Sequence, residues 1–169
     1  MPDLSPARNG ASTATLILGL GNTLLSDEAV GVAVIRQLED DGDLANAQFI
    51  DGGTLSFTLA GPIADCPRLI VVDAAAMNTT PGTVRVFENE AMDRQLSGKG
   101  KSVHEVSLMD LMDMARLTDT LPFPRALVGI EPEKIDLGNN LTPSIAAAVP
   151  QAADLIRALL EKWNADSGS

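Results

Sequence analysis

Gly19-Leu20-Gly21-Asn22-Thr23-Leu24-Leu25-Ser26-Asp27-Glu28-Ala29-Val30-Gly31 is the stretch on which the fold turns. The apolar run Thr15 to Leu20 enters it and an amphipathic pattern leaves it, so it reads as strand, turn and helix. The glycines at 19 and 21 allow a tight turn at the strand end. Ser26 stands where a helix cap belongs, with Asp27 and Glu28 in the first turn behind it. Two carboxylates at the carboxyl end of a strand either compensate a helix dipole or begin a site.

Outward from this stretch, strand and helix patterns alternate. Val30, Val34 and Leu38 recur at helical spacing until Asp41-Gly42 stops them, and Ala47 to Asp51 reads as a second strand running into Gly52-Gly53-Thr54. Ser56 to Asp65 is a helix interrupted by Pro62, and Arg68 to Asp73 is a strand buried on both faces that stops at a carboxylate. The link from Ala76 to Gly82 is too short for a parallel crossover, so Thr83 to Phe87 is expected antiparallel to its predecessor. Asn89 to Leu96 reads as a short helix. Ser102 and Glu105 form a capping box that places His104 in the first turn of a helix with the stripe Leu108, Met112, Ala115. Met109, Met112 and Met114 read as core filling. Arg125 to Ile130 is a last strand and Pro143 to Trp163 a last helix, with Pro150 kinking it or opening its second half. The order predicts an α/β fold: a three-layer αβα sandwich around a mixed, mostly parallel twisted sheet of about five strands, with the first strand between the second and third.

The chain has 169 residues, of which 45% are apolar, enough for one core without disulfides. Residues 15–165 are read as one domain and residues 1–14, rich in Pro, Ser, Ala and Asn, as a mobile extension without a signal-peptide pattern. The absence of a signal and the single cysteine, Cys66, predict a cytoplasmic location. No apolar run approaches the roughly 20 residues of a membrane span. The formal net charge of -11, without a basic stripe, argues against nucleic-acid binding. Cys66 has no basic neighbour and reads as a buried helix-end thiol.

In an open α/β sheet, ligands bind where neighbouring strands send their connections to opposite faces, here between the first and third strands. Glu28 follows the first and Asp73 ends the third, so both carboxylates should meet at that crevice. His104, the only histidine, joins them if its helix start faces the same way. Two carboxylates and a neutral imidazole balance a divalent transition metal and leave positions open for water or substrate. Each residue also has a plain reading. Glu28 is a first-turn acid, Asp73 accepts a hydrogen bond from a loop amide, and His104 is an exposed or hydrogen-bonded side chain. A dinucleotide reading of Gly19-x-Gly21, with Asp51 as the ribose acceptor, fails at its third glycine, where Leu24 stands, and at the acids that would repel a pyrophosphate.

The motifs Leu18 to Glu28, Asp51-Gly52-Gly53-Thr54, Leu69 to Ala74, the segment around His104 and Leu141-Thr142-Pro143 agree in order and spacing with one family. In them the chain resembles the nickel-iron hydrogenase maturation endopeptidases. The resemblance runs from Thr15 to the last helix. It implies a twisted sheet between helices and removal of a short C-terminal extension from the hydrogenase large-subunit precursor after nickel insertion. It also implies Glu28, Asp73 and His104 as metal-binding and catalytic positions. The nickel would be the precursor's own, and a one-to-one complex needs only a monomer. A carboxylate-activated or metal-activated water is the expected nucleophile, with Asp51 as the spare general base. Ser97 to Ser102 is an expected docking loop. The competing readings are a nickel-sensing binding protein of the same fold that does not cut, and a nucleotide-dependent enzyme.

Overall fold

Six consecutive buried residues make Thr15–Leu20 the first strand, β1, because an apolar run with no alternation is stable only when both faces are covered. The computed structural model describes residues 14–98 and 106–168. Within them β1 is followed by a single 3-10 turn, Ser26–Ala29, and by α1, Val30–Asp41, which Gly42 ends in a left-handed conformation. Then come β2 (Ala47–Gly53), a 3-10 turn at Phe57–Leu59, α2 (Ala60–Asp65) and β3 (Arg68–Ala74). The second half runs through β4 (Val84–Glu88), α3 (Glu90–Ser97), α4 (Leu108–Leu117), β5 (Arg125–Ile130) and α5 (Pro143–Ser167).

The five strands form one sheet in the order β2-β1-β3-β5-β4. β1 pairs in parallel with both β2 and β3, and β3 with β5. The expected central place of β1 between β2 and β3 is therefore found, as is the mixed sheet. β4 does run against its predecessor, but its hydrogen bonds go to β5, which inserts between them. A short link fixes direction; it does not fix the partner.

Two cores hold the three layers together. One face of the sheet (Ile17, Ile70, Val72, Val128, Ile130) packs under α1 and α5, and the other (Leu16, Leu18, Leu69, Val71, Leu127) packs under α2, α3 and α4. Side chains in each strand alternate between these cores, as the pleat requires. Pro150 lies inside α5 on its exposed side, and the helix runs through it without a break in its assignment. Met112 fills the second core, whereas Met109 is half-buried and Met114 is 41% exposed, so only one of the three methionines is fully core. Residues 1–13, which contain most of the expected extension, lie outside the described residues. So do His104 and the rest of 99–105.

Two local expectations change. Ser26 caps no helix: it has a positive φ of 46° and is buried, while α1 starts from Ala29 without any side-chain cap. The capping box before α4 is built by Ser107 and Asp110, the Ser107 hydroxyl accepting the Asp110 N–H while Asp110 accepts the Ser107 N–H. The Ser102–Glu105 box falls outside the described residues. The expected first-turn position of His104 lies outside them as well.

Candidate active site

The carboxyl ends of β1 and β3 are the point where the connections diverge, β1 leading to α1 on one face and β3 onward to α3 and α4 on the other. Close backbone packing brings the Glu28 turn there. Gly21 has a φ of 135°, and a methyl group on it would collide with the Glu28 carbonyl. A methyl on Gly31 would strike the carbonyls of both Leu20 and Val72. Glycine at these two positions lets the turn and the start of α1 lie directly on the strand ends. Val72 is the residue before Asp73, so the backbone of the Glu28 turn and α1 start lies beside the end of β3 that carries Asp73; Glu28 and Asp73 are each half-buried.

Asp27, beside Glu28, has a different task from the helix-start acid expected of it. It is fully buried, and its carboxylate accepts the N–H groups of Glu133 (3.0 Å), Lys134 (2.8 Å) and Thr142 (2.8 Å) together with the Thr142 hydroxyl. Burial alone would raise its pKa; the bonds from Thr142, Lys134 and Glu133 outweigh that and hold it below the ordinary value. Ser26 continues the seam, donating its N–H to Gly138 O (2.8 Å) and its hydroxyl to Asp136 O (2.9 Å). Gly138 donates its N–H to Leu24 O at 2.9 Å, so Leu25 and Gly138 form a parallel bridge. These bonds explain how Ser26 sustains a left-handed backbone. The turn that presents Glu28 is thereby locked to the segment after β5.

Glu131, which the sequence reading passed over, fixes the other side. It directly follows β5, as Asp73 stands next to last in β3, and its buried carboxylate accepts the N–H groups of Met77 and Thr79, both at 3.0 Å. That orders the loop immediately after Asp73. The signal that marked Asp73, an acid closing an apolar strand, stood at Glu131 as well.

The other expected residues are more widely placed. Asp51 is exposed, accepts the Gly53 N–H at 2.9 Å and lies 3.7 Å from Arg36 of α1. It pairs with Gly19, which pairs with Val72, so Asp51 shares the α1 face of the sheet, whereas Asp73 takes the opposite face by alternation. Cys66 ends α2, donates its thiol to Ile63 O and is pushed by burial up to about 12, which keeps it protonated and unreactive. Among the described residues, no group of three or more His, Cys, Asp and Glu side chains could hold a metal ion, and no helix is long and apolar enough to cross a membrane. The expected Glu28–Asp73–His104 set depends on His104, outside those residues.

Comparison with known proteins agrees with this architecture. The family model described as hydrogenase maturation protease matches residues 32–159. The hydrogenase 2 maturation protease of Escherichia coli is 34% identical over 149 residues, covering 87% of this chain and 90% of that protein. The hydrogenase expression/formation protein HoxM of Cupriavidus necator is 33% identical, with 86% and 73% covered. The structure of the hydrogenase maturating endopeptidase HybD from E. coli superposes with a TM-score of 0.80 at 31% identity, covering 88% of this chain and 93% of that one. The chain thus belongs to the hydrogenase maturation proteases, a family of peptide-bond hydrolases.

Proposed function

We propose that this protein cuts the C-terminal extension from a nickel-iron hydrogenase large-subunit precursor after nickel insertion, and that it recognises the nickel held in that precursor. The observation that supports this reading is the close packing of the Glu28 turn and the start of α1 on the carboxyl ends of β1 and β3, the strand that carries Asp73. Two anionic donors with a neutral imidazole suit a divalent transition ion, so Glu28, Asp73 and His104 are the groups assigned to engage the substrate's nickel. Their work is to hold the precursor so that the scissile bond lies against an activated water. Asp51 is assigned as general base behind them, ranked lower because it stands on the α1 face of the sheet. The cysteine is given no part. A cytoplasmic monomer acting in a one-to-one complex completes the reading.

The test is incubation with purified, nickel-loaded precursor, followed by the mass of the large subunit. The wild-type protein is expected to shorten it. Asp73→Asn, Glu28→Gln and His104→Ala should each lower the cleavage rate by about 100-fold or more, and Asp51→Asn by less. Undiminished cleavage by Asp73→Asn or His104→Ala would overturn the assignment. A precursor that is bound but never shortened would make the protein a nickel sensor instead.

A further inference from the structure

Arg68 and Arg125 hold matching places, each the first residue of an interior strand and each buried, at 4% and 6% exposure. A guanidinium enclosed in this way needs acceptors for its N–H groups, because a desolvated charge without them is costly. Arg125 finds them in Asp93. Its Nε and Nη2 donate to the two carboxylate oxygens at 3.2 and 2.6 Å, the side-on fork in which one planar group meets another. Arg68 donates from Nη1 to the Asn164 side-chain oxygen at 3.0 Å, and its guanidinium carbon lies 5.5 Å from the Trp163 ring centre. Its Nε and Nη2, the same edge that Asp93 takes on Arg125, have no hydrogen-bond partner among the described residues.

Arg68 also lines a cavity of about 270 Å³ at the amino edge of the sheet, together with Thr15 and Asn46 beside the strand starts and Asn164 of α5. That volume is below the roughly 300–1,000 Å³ of pockets that take drug-sized ligands, so it suits a molecule of a few heavy atoms. The charges on its wall narrow the choice. Asp43 is already bonded to Arg157 at 3.0 Å, and Asp43 and Glu161 would repel a second negative charge on a ligand. One guanidinium edge is thus left for one planar anion of single charge.

We propose that this cavity binds a small monocarboxylate, held side-on by Nε and Nη2 of Arg68 as Asp93 is held by Arg125. Leu44, Ala45 and Leu160 supply apolar wall for the carbon behind the carboxylate. The site stands at the opposite end of β3 from Asp73 and is independent of the endopeptidase reading.

Trp163 is the only tryptophan and the chain has no tyrosine, so intrinsic fluorescence reports on the ring beside Arg68. Acetate is titrated into the full chain at about pH 7, where it is ionised, with sodium chloride holding the ionic strength constant. The wild type is expected to show a saturable fluorescence change with a midpoint at about 10 mM or below, and a melting temperature that rises over the same range. Arg68→Met should lose both responses. Arg68→Lys, which keeps the charge without the fork, should bind at least about tenfold more weakly. No saturation in either readout for the wild type, the same response from Arg68→Met, or undiminished binding by Arg68→Lys overturns the proposal. So does tighter binding of inorganic phosphate than of acetate, which would make the cavity a general anion site.

Discussion

At the carboxyl edge of the sheet, Asp27 is enclosed by three backbone N–H groups and a hydroxyl; at the amino edge, Arg68 is buried almost as completely with far fewer partners. Arg68 donates one bond to Asn164, stacks 5.5 Å from the Trp163 ring centre and leaves Nε and Nη2 unpartnered. Burial pushes its pKa down. It lines a cavity of 270 Å³ with Thr15, Asn46, Arg157 and Asn164, remote from Glu28. One buried charge is fully solvated by protein dipoles and the other rests on an aromatic ring. Of this pair, Asp27 has its hydrogen bonds where a turn must be held in place, and Arg68 is loosely satisfied.

The strongest way to break this contrast is Asp27→Ala, which strands three buried N–H groups and a hydroxyl. It is expected to lower unfolding free energy by about 3 kcal/mol or more in urea titration. A loss below about 1 kcal/mol would mean that the seam is not held by Asp27. The pH dependence sharpens the same point. Because the folded pKa of Asp27 lies below the ordinary 3.8, its contribution is fully present above that pH and is lost as pH falls through the folded value. Wild-type stability should therefore fall more steeply below pH 3.8 than that of Asp27→Asn. Arg68→Met, by contrast, removes a poorly paired charge and keeps the apolar stem, so stability should stay within about 1 kcal/mol of wild type. The smallest effect belongs to Cys66→Ala. With the thiol pushed up to about 12, precursor cleavage should be unchanged and iodoacetamide should label Cys66 slowly at pH 8. Rapid labelling would contradict its burial.

The elements were legible because each has a local cause. Unbroken apolar runs produced β1, β3 and β5, helical spacing of Val30, Val34 and Leu38 produced α1, and Gly42 stopped it. What failed was local chemistry with a distant partner. Ser26 has the composition of a cap, yet its bonds go to Asp136 and Gly138, more than a hundred residues away. Ser107 and Asp110 stand at the capping spacing too, and the box they form at the start of α4 was not singled out because Ser102 and Glu105, outside the described residues, carry the same pattern just upstream.

By itself, then, the sequence determined the α/β alternation, the central place of β1 and the family. Periodicity, strand-end acids and motif spacing are all properties of neighbouring residues. Only the tertiary structure decided that Asp27 is a buried anchor while Glu28 beside it is half-buried, that Glu131 orders the loop after Asp73, and that β5 separates β4 from β3. A carboxylate's role depends on which N–H groups surround it, and those groups come from segments brought together only when the sheet is complete.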